Sequence, residues 1–253
     1  LYAYNAYQSI IRGGHILLTL RIRDQEVHSH GDSIDLLLCL NQDTMDRHLG
    51  ILGPGSRVLY NSDTVHPGEI PDGVVLCPMP ISDLAEGSKN RLIQNTISLG
   101  VMMSLLGVDF SVLQESLELL FSRKGSTVVE ENVNMAQAGH DHGTANFEPF
   151  PVQLPEGDKP LAMWTGNSAL AMGGAAAGVK FYAAYPMSPS TGVLHWMAQH
   201  AHELGIMVRQ VEDEIGVANM TIGAAHAGCR AMCATSGGGF ALMTEAVGAA
   251  AMM

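Results

Sequence analysis

In the second half of the chain, short apolar segments alternate with helical segments rich in glycine and alanine. Segments 179–185, 206–211 and 229–235 have the length and composition of buried strands. Strands that are each followed by a helix form a parallel sheet, because the helix carries the chain back to the start of the next strand. The pattern therefore predicts an α/β unit whose ligands gather at the carboxyl ends of its strands. Its helices are expected at 166–178, 191–203, 214–225 and from 240 onward, with Ser236-Gly237-Gly238-Gly239 as a turn before the last one.

The first half shows the same alternation. Strands are expected at 15–22, 35–40, 57–60 and 73–76, and helices at 45–52, 90–106 and 110–121. The helix at 45–52 is predicted to end at Gly53-Pro54-Gly55, a strong turn signal, and the domain near Gly143. Segment 148–160 carries four prolines and three acidic residues and is typical of an extended linker. We therefore predict two α/β domains with parallel-type sheets, at 1–147 and 161–253, joined by this linker.

Charge and composition exclude several classes of partner. The formal net charge is −12 without any Lys/Arg cluster, which argues against nucleic acid and anionic membranes as partners. The chain has neither a signal peptide nor a run of about 20 apolar residues, so a cytoplasmic protein without a membrane span is predicted. The four cysteines are interpreted as free thiols in a reducing compartment. Since the chain begins with Leu1 and ends within a predicted helix, we interpret it as an internal part of a longer polypeptide.

The carboxylates of Glu212-Asp213-Glu214 lie directly between an apolar segment and a helix of small residues. An unpaired charge is costly to bury there, so a functional use is expected. One such use is a hydrogen bond to a ring nitrogen of a bound cofactor.

Three further motifs are compatible with either ligand binding or local structure. The loop from Tyr185 to Thr191 contains two prolines and three Ser/Thr hydroxyls before a helix, which suits an anionic substrate or a rigid capping turn. The run from Ser236 to Gly239 suits a close approach to a ligand or a flexible turn. Arg12, beside Gly13 and Gly14, suits a phosphate, a partner carboxylate or a solvated turn. The pairs His28/His30 and His140/His142 lack further ligands nearby, so no metal site is predicted.

Together these motifs resemble the 2-oxoacid:ferredoxin oxidoreductases, in particular the α subunit in which a γ-type domain precedes the thiamine pyrimidine-binding domain. The segments that carry the resemblance are Arg12-Gly13-Gly14, Lys124-Gly125, Glu131-Asn132, Gly166-Asn167-Ser168-Ala169-Leu170-Ala171, Tyr185-Pro186-Met187-Ser188-Pro189-Ser190-Thr191, Glu212-Asp213-Glu214-Ile215 and Ala234-Thr235-Ser236-Gly237-Gly238-Gly239-Phe240. The loop is similar to the family's Tyr-Pro-Ile-Thr-Pro, with Met187 and Ser188 in place of Ile and Thr. Gly238 replaces a usual proline, and the family's glycine-rich opening of the γ domain is absent.

The resemblance implies oxidative decarboxylation of a 2-oxoacid, 2-oxoglutarate by preference, with coenzyme A and ferredoxin. Glu214 is then the catalytic residue, because it hydrogen-bonds the aminopyrimidine ring nitrogen of thiamine diphosphate. Ser236 and Gly237 are expected to contact the same cofactor. Tyr185, Pro186 and Ser188 are expected to bind the substrate, and Arg12 is a further candidate.

The resemblance also implies partners and further cofactors. A separate β subunit would carry Mg²⁺ and a [4Fe–4S] cluster, share the thiamine diphosphate, and form an α2β2 heterotetramer with this chain. Two alternatives stay open at the level of sequence. One is a non-catalytic assembly subunit of such a complex, and the other is half of a thiamine-dependent decarboxylase or transferase that works without ferredoxin.

Overall fold

The computed structural model describes residues 1–6, 14–86, 88, 90, 92–152, 154 and 162–252. The chain separates into two compact units, Leu1–Gly157 and Asp158–Met253. Each unit holds a three-stranded parallel sheet together with helices, so the predicted α/β class is confirmed. The change from one unit to the other falls within segment 148–160. The assignment of the units to a γ-type and a pyrimidine-binding domain stays a prediction.

The first unit begins with a short antiparallel ribbon. In chain order, its elements are β1 (Tyr2–Ala6), β2 (Leu17–Arg21), β3 (Ile34–Cys39), α1 (Gln42–His48), β4 (Leu52–Asn61), β5 (Val75–Met79), α2 (Ile81–Leu84), α3 (Ile93–Leu105), α4 (Phe110–Phe121) and α5 (Ser126–Asn146). Strands β1 and β2 form the ribbon, in which Tyr4 lies opposite Thr19. The strand predicted at 15–22 is confirmed as β2, whereas β1 and the antiparallel pairing depart from the parallel sheets expected.

The main sheet of the first unit has β4 at its centre, with β3 and β5 as parallel neighbours. Leu38 pairs with Leu59, and Leu59 pairs with Cys77. Because successive side chains of a strand point to opposite faces, the sheet carries a core on each side. One core contains Leu37, Cys39, Met45, Leu49, Leu52, Val58 and Val65, and the other contains Leu59, Cys77, Met79, Ile93, Ile97 and Val101.

The Gly53-Pro54-Gly55 segment lies inside β4, so its interpretation as a helix stop is wrong. Helix α1 begins earlier than predicted, because the side chain of Asn41 accepts a hydrogen bond from the Thr44 N–H at 2.9 Å and caps the helix. After α1 a single 3₁₀ turn leads directly into the strand. Gly55 N donates to Gly73 O at 2.8 Å, which fixes the glycine-rich start of β4 against the segment that precedes β5.

Helix α5 extends to Asn146, beyond the domain end expected near Gly143, and it was not predicted. It packs along α3 through glycines that sequence reasoning treats as helix breakers. A Cβ on Gly100 would overlap the carbonyl oxygen of Ala136, and a Cβ on Gly139 would overlap the carbonyl oxygen of Ile97. These glycines therefore bring the two helix backbones together. His140 and His142 lie on this helix.

The second unit matches its predicted alternation closely. In chain order, its elements are α6 (Gly166–Ala176), β6 (Phe181–Ala184), α7 (Thr191–Leu204), β7 (Met207–Gln210), α8 (Glu214–His226), β8 (Ala231–Cys233) and α9 (Gly237–Ala250). Strand β6 is central, with Phe181 paired to Met207 of β7 and to Ala231 of β8, both in parallel. The glycine run after Ser236 is not a separate turn as expected, because α9 begins at Gly237 and takes it into its first turn.

Candidate active site

The carboxyl ends of the second unit's strands bring most of the predicted site residues together. Loop 185–190 follows β6, Glu214 begins α8 after β7, and segment 234–236 follows β8. From the central strand β6 the chain passes to β7 on one side of it and then crosses to β8 on the other side, which gives the strand order β7-β6-β8. The crevice beyond such a switch of direction is where open α/β sheets bind ligands.

Glu214 is the first residue of α8, and its side chain is buried with 4% of its surface exposed. Asp213 caps the helix, since its Oδ1 accepts a hydrogen bond from Gly216 N at 2.6 Å. That cap fixes the backbone from which the Glu214 side chain turns inward. Among the described residues, Glu214 Oε1 has no hydrogen-bond partner. A buried oxygen without a partner is costly, and a donor on a bound ligand would remove that cost.

Gly239, in the first turn of α9, lies against the Glu214 carboxylate. A Cβ at this position would be 2.7 Å from Glu214 Oε1 and 3.0 Å from Glu214 Cγ, and it would overlap Thr235 Oγ1. A side chain at residue 239 would therefore displace the carboxylate, the Thr235 hydroxyl, or both. Because Gly239 has no side chain, there is room beside it for the buried Glu214 carboxylate.

The loop after β6 is held by side chains from three different places in the second unit. Three successive carbonyls of this loop each accept a hydrogen bond, from Ser190 Oγ to Met187 O at 2.7 Å, from Ser236 Oγ to Ser188 O at 2.7 Å, and from Asn167 Nδ2 to Pro189 O at 2.8 Å. The Asn167 amide packs over Gly192, where a Cβ would be 2.6 Å from Nδ2. Ser188 itself is exposed. The loop backbone is thus anchored, and the Ser188 side chain faces solvent.

The remaining predicted site residues have varied surroundings. Tyr185 is half-buried and packs in the core that contains Val217 and Met243, whereas Pro186 is exposed. Gly237 is the first residue of α9 and has a φ of 42°, in the region that favours glycine. Arg12 lies outside the described residues. The geometry thus brings Tyr185, Pro186, Ser188, Glu214, Ser236 and Gly237 to one edge of the sheet.

A cleft of about 620 Å³ opens between the end of β8 and α9. It is lined by Cys233, Ala234, Thr235, Ser236, Gly237, Phe240, Met243 and Val247. Two residues predicted to contact the cofactor, Ser236 and Gly237, are therefore on its wall.

Sequence reasoning missed Asn167 and Thr235 as residues of this edge, and it placed Gly239 there only as part of the run from Ser236 to Gly239. Asn167 lies in the segment that carries the family resemblance, two residues after Thr165, whose side chain caps α6 by accepting from Ser168 N at 3.1 Å. Gly239 is the last of three successive glycines, and only the fold shows that it faces Glu214. For both Asn167 and Gly239 the only signal in the sequence was the motif that contains the residue, and the motif does not indicate which group each residue contacts.

A cluster of titratable side chains lies in the first unit, where the entry to β2 meets α1. His15 Nδ1 is 3.1 Å from Asp43 Oδ2, and His15 Nε2 is 2.8 Å from His48 Nε2. Arg47 donates from Nε to Asp43 Oδ1 at 2.7 Å, and this hydrogen bond holds the pKa of Asp43 below its usual range. Burial lowers the pKa of His48, and the nearby charges of His15 and Arg47 lower it further. The folded state therefore favours a neutral His48.

The described residues contain neither a cluster of metal ligands nor a membrane-spanning helix. No group of three or more His, Cys, Asp or Glu side chains is arranged to hold a metal ion in the part of the chain that the structure describes. No helix among those same residues is long and apolar enough to span a bilayer.

Comparison with known families gives matches over most of the chain. The family described as "Pyruvate ferredoxin/flavodoxin oxidoreductase" matches residues 1–142. The family described as "Pyruvate flavodoxin/ferredoxin oxidoreductase, thiamine diP-bdg" matches residues 172–253. The second match contains the loop after β6, Glu214 and the start of α9.

Individual relatives carry related names. The chain is 27% identical to the 2-oxoglutarate oxidoreductase subunit KorA of Mycobacterium tuberculosis, over 92% of this chain and 40% of that protein. It is 49% identical over 87 residues to the 2-oxoglutarate synthase subunit KorA of Methanothermobacter thermautotrophicus, which is 34% of this chain and 23% of that protein.

A solved structure also matches: 2-oxoglutarate:ferredoxin oxidoreductase from Magnetococcus marinus, with 2-oxoglutarate, coenzyme A and succinyl-CoA bound. It has a TM-score of 0.85 and 30% identity and covers 96% of this chain and 43% of its own. The chain spans less than half the length of each of these relatives.

Proposed function

The chain belongs to the pyruvate ferredoxin/flavodoxin oxidoreductase family, and from this premise we propose that it is part of a 2-oxoacid:ferredoxin oxidoreductase. The reaction is the oxidative decarboxylation of a 2-oxoacid with coenzyme A, and the preferred substrate is 2-oxoglutarate. The names of the relatives from Mycobacterium tuberculosis and Methanothermobacter thermautotrophicus support this substrate. The ligands named for the Magnetococcus marinus enzyme support both the substrate and coenzyme A.

The observation that carries the proposal is the buried and unpartnered Oε1 of Glu214 at the carboxyl end of the sheet. This atom fits the aminopyrimidine ring of thiamine diphosphate, because a carboxylate oxygen held away from water is a strong acceptor for a ring N–H. Glu214 would accept that hydrogen bond and hold a proton at the ring nitrogen. When bound, thiamine diphosphate supplies the thiazolium carbon and the electron sink for decarboxylation.

The other residues of the edge are assigned to substrate and cofactor. Ser188, with its exposed side chain on an anchored loop, would donate a hydrogen bond to the carboxylate or carbonyl of the 2-oxoacid. Tyr185 and Pro186 would shape the same subsite. Ser236 and Gly237, on the wall of the cleft beside α9, would lie near the cofactor. Arg12 stays a candidate for a phosphate or carboxylate contact.

The domain organisation and the assembly follow the same premise. We assign 1–147 to a γ-type domain, 148–160 to a linker and 161–253 to the first part of a pyrimidine-binding domain. A β subunit would hold the diphosphate, Mg²⁺ and a [4Fe–4S] cluster, and it would pass electrons to ferredoxin in an α2β2 assembly.

The proposal is tested by replacing Glu214 in the assembled enzyme. The full-length chain is co-expressed with its β partner, and reduction of a viologen dye by 2-oxoglutarate and by pyruvate is measured. Glu214→Gln should lower kcat by about 100-fold or more, the usual contribution of a positioned acid or base. Glu212→Gln is the matched control, because Glu212 is exposed two residues earlier and should leave the rate within about 2-fold, as surface changes usually do. A Glu214→Gln rate near that of the control would contradict the proposal.

A further inference from the structure

We infer that Ser236 and Gly239 are positioning residues that set Ser188 and Glu214 at a fixed separation, an inference that rests on the proposed function. A 2-oxoacid on Ser188 reacts with a cofactor oriented by Glu214 only if the two groups keep the right distance. Ser188 lies in the loop after β6, whereas Glu214 is the first residue of α8, after β7. Residues 236–239, where the chain leaves β8 and begins α9, contact both of them.

Ser236 makes the contact on the substrate side. Its Oγ donates to Ser188 O at 2.7 Å, across 48 residues of sequence. The bond uses the backbone of Ser188 and leaves the Ser188 side chain exposed. Ser236 therefore fixes the backbone that carries the Ser188 hydroxyl and leaves this hydroxyl available for a ligand. This assigns the Ser236 hydroxyl to the substrate loop, although the residue lies on the wall of the cleft proposed for the cofactor.

Gly239 makes the contact on the cofactor side. It is buried, and a Cβ there would be 2.7 Å from Glu214 Oε1 and 3.0 Å from Glu214 Cγ. The same Cβ would overlap Thr235 Oγ1. All three atoms belong to side chains that can move, so an alanine at 239 would be tolerated by displacing the carboxylate together with the Thr235 hydroxyl. The glycine thus determines where Glu214 Oε1 lies.

The two contacts are joined by a short and rigid connection. Gly239 N donates to Ser236 O at 2.9 Å, which closes the first turn of α9 between them. The backbone positions of the two contacts are therefore held one helical turn apart. By contrast, the Cβ of an alanine at Gly248, exposed near the other end of α9, would meet no described atom within 4 Å.

The first test compares Ser236→Ala, Ser236→Thr and Gly248→Ala in the assembled enzyme. Ser236→Ala should raise KM for the 2-oxoacid by about 2- to 13-fold, the range for loss of a neutral hydrogen bond, with the dissociation constant of thiamine diphosphate unchanged. Ser236→Thr keeps the hydroxyl and should restore KM, and Gly248→Ala should match the wild type. A Ser236→Ala enzyme with normal KM, or one whose KM Ser236→Thr does not restore, would overturn the inference.

The second test measures thiamine diphosphate binding by calorimetry on the cofactor-free assembly. Gly239→Ala should weaken binding by about 10- to 150-fold, as expected when a hydrogen bond to a charged group is lost. In a Glu214→Gln background the same change should weaken binding by less than about 2-fold further, because both substitutions remove one interaction. An equal loss in both backgrounds would show that Gly239 acts elsewhere and would overturn its role.

A third measurement separates failure of this inference from failure of the proposed function. Amide hydrogen exchange of segment 185–191 is followed in the ligand-free assembly, where Ser236→Ala should accelerate exchange and Ser236→Thr should not. A wild-type assembly that neither binds thiamine diphosphate nor turns over 2-oxoacids contradicts the proposed function. Unchanged exchange in Ser236→Ala contradicts the anchoring of the loop, whatever the reaction.

Discussion

Replacing Gly139 by alanine should destabilise the first unit, although alanine is the better helix former. Gly139 lies on α5 where this helix crosses α3, and a Cβ there would be 2.9 Å from the carbonyl carbon of Ile97 and 3.1 Å from its Cα. It would also overlap the Ile97 carbonyl oxygen. These are backbone atoms of a fully buried residue, so no side chain can rotate away to make room.

The magnitude follows from two opposing terms. Alanine gains about 1 kcal/mol over glycine inside a helix. Ordinary contact distances require the two helices to separate by about 1 Å, and such overpacking in a close-packed core costs about 1–3 kcal/mol or more. The overlap with backbone places this site at the upper end of that range. We therefore expect a net loss of about 1–2 kcal/mol, or a fall in Tm of about 2–8 °C for a unit of this size.

Differential scanning calorimetry measures this change, with Gly173→Ala as the matched control. Gly173 is an exposed glycine within α6, and no described atom lies within 4 Å of its Cβ position. Alanine there should gain up to about 1 kcal/mol from helix propensity alone. If Gly139→Ala raised Tm as the control does, the close crossing of α3 and α5 would be wrong.

Three further predictions use other parts of the structure. The free energy of unfolding should fall as the pH drops from 7.5 through about 6.5, the ordinary pKa of histidine. The reason is that the pKa of His48 is lowered in the folded state, so that the unfolded chain takes up the proton first. Urea midpoints at several pH values should show this slope, and His48→Gln should flatten it. Iodoacetamide at pH 8 should leave Cys39 and Cys77 unmodified until denaturant is added, because both are buried and the pKa of the Cys39 thiol is raised to about 12. Detection of either modified cysteine in the folded protein by mass spectrometry would contradict this prediction. Asn167→Ala removes the donor to the exposed Pro189 carbonyl and, under the proposed function, should raise KM for the 2-oxoacid by about 2- to 5-fold with kcat unchanged, since water replaces part of the lost bond.

The strand and helix alternation of the second unit could be predicted because each element there has a local signal. The apolar runs that form β6 and β7 are bounded by Pro186 and Gly205, and Asp213 caps α8 where the carboxylates suggested a helix start. The position of Glu214 at the head of that helix follows from the cap alone. Hydrophobic periodicity and capping residues are properties of neighbouring residues, and a single sequence shows them directly.

Helix α5 could not be predicted in the same way, because its glycines disfavour a helix by their local propensity but are required by its packing against α3. Gly139 and Gly143 lower helix propensity, yet each lies where a side chain would collide with α3. Gly53 and Gly55 were misread for the same reason, since the strand that contains them is fixed by the hydrogen bond from Gly55 N to Gly73 O. Tertiary contacts decided both cases.

The sequence indicates the residues of the candidate site one by one, but not the contacts between them. The motifs point to Glu214 and Ser188, and the fold brings the segments that carry these two residues to one edge of the sheet. The bond between Ser236 and Ser188 joins residues 48 positions apart, and that between Asn167 and Pro189 joins residues 22 apart. Hydrophobic periodicity carries no information about such distant pairs, so only the structure shows how the loop after β6 is anchored.

The most direct test of the central claim is the distance between Glu214 Oε1 and the pyrimidine ring nitrogen in an experimental structure of the assembled enzyme with thiamine diphosphate. The proposed role predicts a hydrogen bond of about 2.7–3.2 Å between these two atoms. It also predicts that the carboxylate stays buried against Gly239, as it is here. A ring nitrogen that is bonded to another acidic side chain, with Glu214 out of reach, would contradict the account.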